Sequence, residues 1–296
     1  MNKRVITITQ PYHMRVKNKQ LVLTEKTEEG KDHTIPVEDL GCVIFESDQI
    51  TVTIRLLQEF AENNVGVIFC NKQYMPASML FHLDTHYVQQ EKFSHQIEAS
   101  QPLKKRLWQQ TIQAKIWNQA LLLEKTGKDG TALKNMARQV KSGDSEGKES
   151  KAARYYWGRL FDFDFKRLRD GEWPNALLNY GYSILRGMTA RALSGAGLLP
   201  TLGIHHHNKY NAYCLADDIM EPYRPFVDQL TFEIIMNDEE KEITTDIKKQ
   251  MLEIIQVNTL YAEQVSPIQV ALQKTAQSLA NSFLEKKSVI KYAKLI

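Results

Sequence analysis

The 296-residue chain carries only three cysteines, Cys42, Cys70 and Cys214, scattered along its length. They make neither a disulfide framework nor a zinc cluster, which excludes the small cross-linked secreted folds and the zinc-stapled modules. Long apolar runs are also lacking. Val65-Gly-Val-Ile-Phe69 and Ala120-Leu-Leu-Leu123 are typical of what exists, far short of the roughly 18–20 residues a membrane span needs. The opening Met1-Asn-Lys-Arg4 runs straight into an alternating pattern, with no apolar signal core and no cleavage site. No internal repeat and no low-complexity tract is present. The expectation is a soluble, cytoplasmic protein with no membrane partner. At 43% hydrophobic and 25% charged residues the chain is ordinary globular material, and its length suits one large domain or two.

Net charge is small, +3, but unevenly spread. Residues 101–170 hold 16 Lys/Arg against 8 Asp/Glu, leaving 22 against 27 in the rest. A basic middle in a near-neutral chain reads either as a localised polyanion-binding face or as a solvated, lysine-rich helix surface.

The first eighty residues read as β. Val5-Ile-Thr-Ile-Thr9 alternates, a polar turn follows near residues 17–19, and Gln20-Leu-Val-Leu-Thr24 is the next strand. A charged loop around Gly30 leads to short strands at 34–37 and 42–45. Residues 50–62 place Ile54, Leu56, Leu57 and Phe60 at helical spacing, and Val65 to Cys70 reads as a buried strand. From Ser78 onward apolar positions recur every three or four residues. Helices are expected at 104–124, 132–140, from about 149, at 175–193, 211–236, 246–257 and 269–286, with Gly195-Ala-Gly197 as a helix stop. Within 211–236, Pro222 and Pro225 predict a kink directly after the carboxylates. The fold class is therefore α+β: a small β-rich domain, residues 1–77, followed by a larger all-helical domain, residues 78–296.

Three places concentrate metal-ligating side chains. Glu149 opens a helix whose inner face is Ala153, Tyr156, Trp157 and Leu160. A carboxylate there serves either the helix dipole or a cation. Gly203-Ile-His205-His206-His207-Asn offers imidazoles, which bind metals, cap helices or stack. In an extended loop His205 and His207 face one way and His206 the other, whereas a tight turn at Gly203 shifts that register. In Asp217-Asp218-Ile-Met-Glu221-Pro-Tyr-Arg224, Glu221 shares a helix face with both aspartates, and Arg224 is an obvious structural partner for Asp218 or Glu221. Together, carboxylates plus one imidazole suit Mg²⁺ or Mn²⁺ and metal-assisted phosphodiester chemistry.

Three blocks carry a family likeness: Gly143-Asp through Glu149 to Ala152-Ala-Arg-Tyr-Tyr156, Asn175-Ala-Leu-Leu-Asn-Tyr-Gly-Tyr-Ser-Ile-Leu185, and Gly203-Ile-His-His206-His-Asn with Asp218-Ile-Met-Glu221-Pro-Tyr-Arg-Pro-Phe-Val-Asp228. In these the chain resembles the CRISPR-associated adaptation integrase, in the compact form of type II systems. The resemblance implies metal ligands at Glu149, His206 and Glu221, with Asp218 as an auxiliary acid. His206 follows from the pattern Gly-Ile-x-His-x-Asn. Gly147 stands where relatives often carry asparagine. Also implied are a homodimer formed through the β-rich domain, a small ferredoxin-like CRISPR adaptation partner, and double-stranded DNA fragments whose 3′-hydroxyl ends are joined into CRISPR repeat DNA by transesterification. A nuclease of branched or single-stranded DNA would use the same residues with water as nucleophile. Nothing in the ligand set is a covalent nucleophile, which favours direct transesterification. Candidate DNA-binding residues are Lys104, Lys105 and Arg106 in the basic span and Arg186 and Arg191 on the 175–193 helix. Tyr180 and Tyr182 on that helix serve either as base-stacking platforms or as core residues.

Overall fold

The computed structural model describes the chain except residues 1–3, 28–29, 64, 73–75, 81–87, 169–170 and 238–241, and except the side chains of 76, 77 and 79. The start of the chain and the last two residues of the basic stretch thus lie outside the described residues. Two compact units emerge, Met1–Leu83 and Asp84–Ile296, so the first runs past the boundary expected at residue 77.

In the first unit, β1 (Arg4–Ile8), β5 (Leu40–Phe45), β7 (Gly66–Cys70) and β8 (Pro76–Met79) form one sheet in that order. The β1–β5 and β5–β7 pairs are parallel, and β8 is antiparallel to β7. A second sheet has the order β4 (Asp32–Pro36), β3 (Gln20–Glu25), β2 (Tyr12–Lys17) and β6 (Thr51–Val52). β2 and β3 form a hairpin whose turn residues Asn18 and Lys19 both have positive φ (52° and 58°), the twist a two-residue hairpin requires. Every residue of β5 is buried, as a central strand covered on both faces demands. Met14, Leu21 and Leu23 from one sheet meet Val43, Phe45 and Val67 from the other in one apolar cluster, closed by Leu56 and Phe60 of α1 (Ile54–Glu62). Ile54, expected on the inner face, is 69% exposed. It is the first helical residue, directly after the Thr53 cap, whose hydroxyl accepts from Leu56 N.

The second unit is mostly helical. α2 (Gln89–Ile97) precedes α3 (Gln101–Lys125), a long helix that packs against α4 (Thr131–Arg138), α5 (Lys148–Leu160), α7 (Cys214–Met220) and α8 (Arg224–Asn237). Leu107, Ile112, Ile116 and Leu123 are all buried, as their spacing predicts. On α5 the buried stripe is Ala152, Tyr156 and Leu160, a strict i+4 row that leaves Ala153 and Trp157 half-covered. α6 (Asn175–Gly195) packs on α7, α8 and α10 (Ile268–Leu284). At Gly181 a Cβ would lie 2.4 Å from Val227 and 2.7 Å from Met251, so the glycine permits that close approach.

The single helix expected over 211–236 is three pieces: α7, a 3₁₀ turn at Glu221–Tyr223, and α8. Pro222 lacks an amide proton and interrupts the ladder there. After α9 (Thr245–Leu252) the chain forms a hairpin of β9 (Asn258–Tyr261) and β10 (Gln264–Pro267), so the unit is not wholly helical. The C-terminal tail returns along α3. Asn118 donates to the carbonyls of Pro222 (2.7 Å) and Ala293 (3.0 Å) and accepts from Leu295 N (3.1 Å). That buried amide pins the 221–223 turn against the middle of α3.

Candidate active site

α5 begins directly beneath a sharp bend. Gly147 is left-handed (φ 61°, ψ 40°), a conformation glycine and asparagine both adopt at little cost. Since Gly147 has no side chain to cap the helix, Asp144 does so. Its carboxylate accepts from Lys148 N (2.8 Å) and Glu149 N (3.0 Å), which fixes the first turn and the departure of the Glu149 side chain.

Glu149 and Glu221, on separate elements, converge on one cationic nitrogen. Lys115 Nζ lies 2.6 Å from Glu149 Oε1 and 2.6 Å from Glu221 Oε2. Glu221 Oε1 accepts from Arg224 Nε at 2.7 Å, so Arg224 is the partner of Glu221 and not of Asp218. Glu221 Oε2 is buried without an aligned hydrogen bond, which makes its approach to Lys115 a charge interaction with lone pairs to spare. Burial alone would raise the Glu221 carboxyl, but Arg224 and Lys115 outweigh it and hold it at about 2. Burial likewise opposes the Lys115 ammonium, and the two facing carboxylates reverse the sign and raise it.

The histidine loop is curled, not extended. A Cβ at Gly203 would sit 2.3 Å from the His206 carbonyl oxygen and 2.9 Å from Asp218 Oδ2, so only glycine allows the turn. Asp218 is fully buried and accepts from three successive amides, Ile204 (2.7 Å), His205 (2.9 Å) and His206 (3.2 Å). Successive N–H groups aimed at one anion force a concave backbone, so of the two registers left open by the sequence the loop takes the tight turn at Gly203, not the extended alternation. His205 stacks on Trp108 (centroids 4.1 Å apart, 1° between planes), while His206 meets the same indole edge-on at 5.7 Å. His206 Nδ1 lies 2.5 Å from Asp218 Oδ1. A proton on Nδ1 for that carboxylate leaves Nε2 with its lone pair. The Asp218 bond raises the His206 pKa, whereas burial lowers that of His205.

The three carboxylates expected to share a face thus part company. Asp217 takes Arg186 (2.7 Å) and Asn211 (2.7 Å), Asp218 holds the histidine loop, and Glu221 faces Lys115. Among the described residues no three His, Cys, Asp or Glu side chains already stand in ligand geometry. The convergent pair fits a divalent ion in chemistry: two carboxylates on one cation position, one oxygen of them buried and held by charge alone, and an oriented imidazole whose pKa Glu221 also raises.

Two of the DNA-binding candidates are corrected, Tyr180 and Tyr182. Tyr180 is 1% exposed and Tyr182 7%, so neither offers a face to a base. Tyr182 donates to Asp228 Oδ1, and Tyr156 donates to Asp228 Oδ2 at 2.8 Å. Burial pushes the Asp228 carboxyl up to about 6, partly offset by the two phenols. Arg186 is paired with Asp217 through Nε (2.7 Å), with its side chain still 43% exposed. Arg191 is half-buried. Lys105 and Arg106 are exposed and Lys104 half-buried, at the start of α3. The Lys105 stem lies 3.3 Å from where a Gly143 Cβ would be, tying the basic end of α3 to the bend before Glu149. Elsewhere the basic stretch spends charge internally, in Lys128–Asp162, Lys134–Glu124 and Lys141–Glu146 pairs. Sequence reasoning missed Lys115, Asp144, Trp108 and Asp228. For Lys115 a signal existed: a lysine flanked by buried Ile112 and Ile116 on a helix.

The family model for CRISPR associated protein Cas1 matches residues 5–256. The chain belongs to the Cas1 family. A CRISPR-associated endonuclease Cas1 from Neisseria meningitidis serogroup C (strain 8013) is 32% identical over 97% of this chain and 94% of its own. Membership makes this chain an enzyme of the CRISPR system, a nuclease in the shared name of its relatives. Among solved structures, a casposase bound to integration product superposes with TM-score 0.77 at 18% identity, covering 98% of this chain and 92% of that one. A Cas6-RT-Cas1–Cas2 complex gives TM-score 0.75 at 20% identity, covering all of this chain and 36% of that one. Both share the fold. No helix among the described residues is long and apolar enough to cross a membrane.

Proposed function

We propose that this family member joins the 3′-hydroxyl ends of a double-stranded DNA fragment into CRISPR repeat DNA by direct transesterification, using Glu149, His206 and Glu221 around Mg²⁺ or Mn²⁺. The observation that carries the site is the meeting of Glu149 and Glu221 on one cation position, from elements about seventy residues apart in sequence. Glu221 stays anionic throughout the neutral range because Arg224 and Lys115 hold its pKa at about 2. Asp218 presents His206 with Nδ1 occupied. What a bound divalent ion supplies in such a site is stabilisation of charge on the phosphate during in-line displacement. Lys104, Lys105 and Arg106 would hold the DNA backbone, about 15 Å along α3 from Lys115. Neither Tyr156 nor Tyr182 is poised as a covalent nucleophile: both are buried and their pKa values are raised well above 10.

For partners we propose a homodimer formed through the β-rich unit and a small ferredoxin-like protein of the Cas2 kind, a reading supported by the Cas1–Cas2 assembly among the fold neighbours. Short duplexes with free 3′-hydroxyls, mixed with a supercoiled plasmid bearing a repeat, test the reaction. Joined product supports integration. Cut product without joining assigns the site to hydrolysis of branched or single-stranded DNA, and tight binding with no product removes the metal site from the chemistry.

A further inference from the structure

We propose that Lys115 is the resident counter-ion of the Glu149–Glu221 pair and the group that an entering divalent cation displaces. The inference rests on the metal-site reading above. Lys115 stands at the middle of α3 between buried Ile112 and Ile116, and its side chain is 12% exposed. Burying a lysine is costly unless its charge is matched, and here one ammonium matches two carboxylates at 2.6 Å each. The same two oxygens are those a divalent ion would take. An ammonium and a divalent cation cannot share that position, because their repulsion in a water-poor site is large. Occupancy is therefore exclusive: lysine holds the carboxylates together in the absence of metal, and metal entry expels it. Arg224 is not part of the exchange, since it bonds the other Glu221 oxygen, Oε1.

A merely structural ion pair and a displaceable counter-ion differ in what Mn²⁺ does. With the full chain and no DNA, Mn²⁺ affinity is measured by calorimetry for the wild type, Lys115→Met, Lys115→Arg, Glu149→Gln and Glu221→Gln, with Tm recorded in EDTA and in Mn²⁺. Lys115→Met should melt lower in EDTA, recover in Mn²⁺, and bind Mn²⁺ on the order of tenfold tighter, since no internal charge competes. Lys115→Arg, which keeps the charge, should bind no tighter than wild type. In the wild type, mass-spectrometric amine labelling of Lys115 should rise several-fold on adding Mn²⁺, a readout that needs no variant to fold. Unchanged or weaker Mn²⁺ binding in Lys115→Met, or labelling indifferent to Mn²⁺, overturns the exchange while leaving the metal site standing. Wild-type Mn²⁺ affinity in both Glu149→Gln and Glu221→Gln would instead sink the metal-site reading and the exchange with it.

Discussion

Glu221 and Asp228 lie two helical turns apart, are 6% and 1% exposed, and titrate in opposite directions. Burial raises both. Glu221 faces two full positive charges, Lys115 and Arg224, and ends at about 2. Asp228 faces two neutral phenols, with Arg224 and Arg167 acting more weakly through space, and ends at about 6. The lesson is that a buried carboxylate is kept ionised by countercharge and only eased by neutral hydrogen bonds. The first arrangement prepares an anion for a cation. The second makes a polar joint between α5, α6 and α8.

The largest expected effect is chemical. Glu149→Ala, His206→Ala and Glu221→Ala should each reduce strand transfer by ~10²–10³-fold, the scale of losing one group of a transition-state-stabilising set, whereas His207→Ala should retain most activity. Full wild-type strand transfer by any of the three at saturating Mn²⁺ would remove that residue from the site. Asp218→Asn belongs near this group: an amide cannot accept four hydrogen bonds, so loop and His206 are both released, at about 1–3 kcal/mol of stability. Thermal melts and strand transfer on the same preparation check both halves.

pH separates the two carboxylates. Glu221 has a folded pKa of about 2 against a reference of 4.5. Its stabilisation, about 3 kcal/mol, is complete above 4.5 and is lost as pH falls towards 2. Asp228 has the reverse sign. Its folded pKa of about 6 lies above the reference 3.8, so the folded state binds the extra proton, and stability falls as pH rises from 4 to 6. Denaturant melts should show that slope in the wild type and lose it in Asp228→Asn. An unchanged slope would mean another group carries it.

Smaller effects sharpen the contrast. Tyr182→Phe and Tyr156→Phe each remove one hydrogen bond to a buried carboxylate and should cost about 1.5–3 kcal/mol, with strand transfer per folded molecule preserved. If Tyr182→Phe abolishes transfer without unfolding, the joint belongs to the active site. Smallest is DNA affinity: neutralising Lys104, Lys105 and Arg106 should flatten the log-salt slope by ~0.9 for each phosphate left without its cation. Arg186→Gln should leave that slope unchanged, because Arg186 is held by Asp217.

Most of the architecture was legible because it is written locally. The apolar spacing of Leu107, Ile112, Ile116 and Leu123 announces α3, and Gly195-Ala-Gly197 marks the end of α6 where Gly197 indeed has φ 77°. The β9–β10 hairpin escaped because its strands have four residues each, and its turn uses Ala262 and Glu263 at positive φ rather than the Asn-Gly or Asp-Gly that flags such turns. The three family blocks led to Glu149, Asp218 and Glu221 by pattern, but the partner of each stayed open.

What the sequence determined by itself is the succession of β-rich and helical units, the helix periods, and the blocks that place the chain among Cas1 proteins. Those follow from backbone preference and the 3.6- or 2-residue repeat of apolar side chains, properties of neighbours in the chain. Tertiary structure decided that Tyr180 and Tyr182 are buried, that Asp218 curls the histidine loop, that Arg224 serves Glu221, and that Lys115 stands between Glu149 and Glu221. Each of those depends on which charges the fold brings within a few ångströms from segments scores of residues apart, and ion pairing at that range leaves no periodic trace in the sequence.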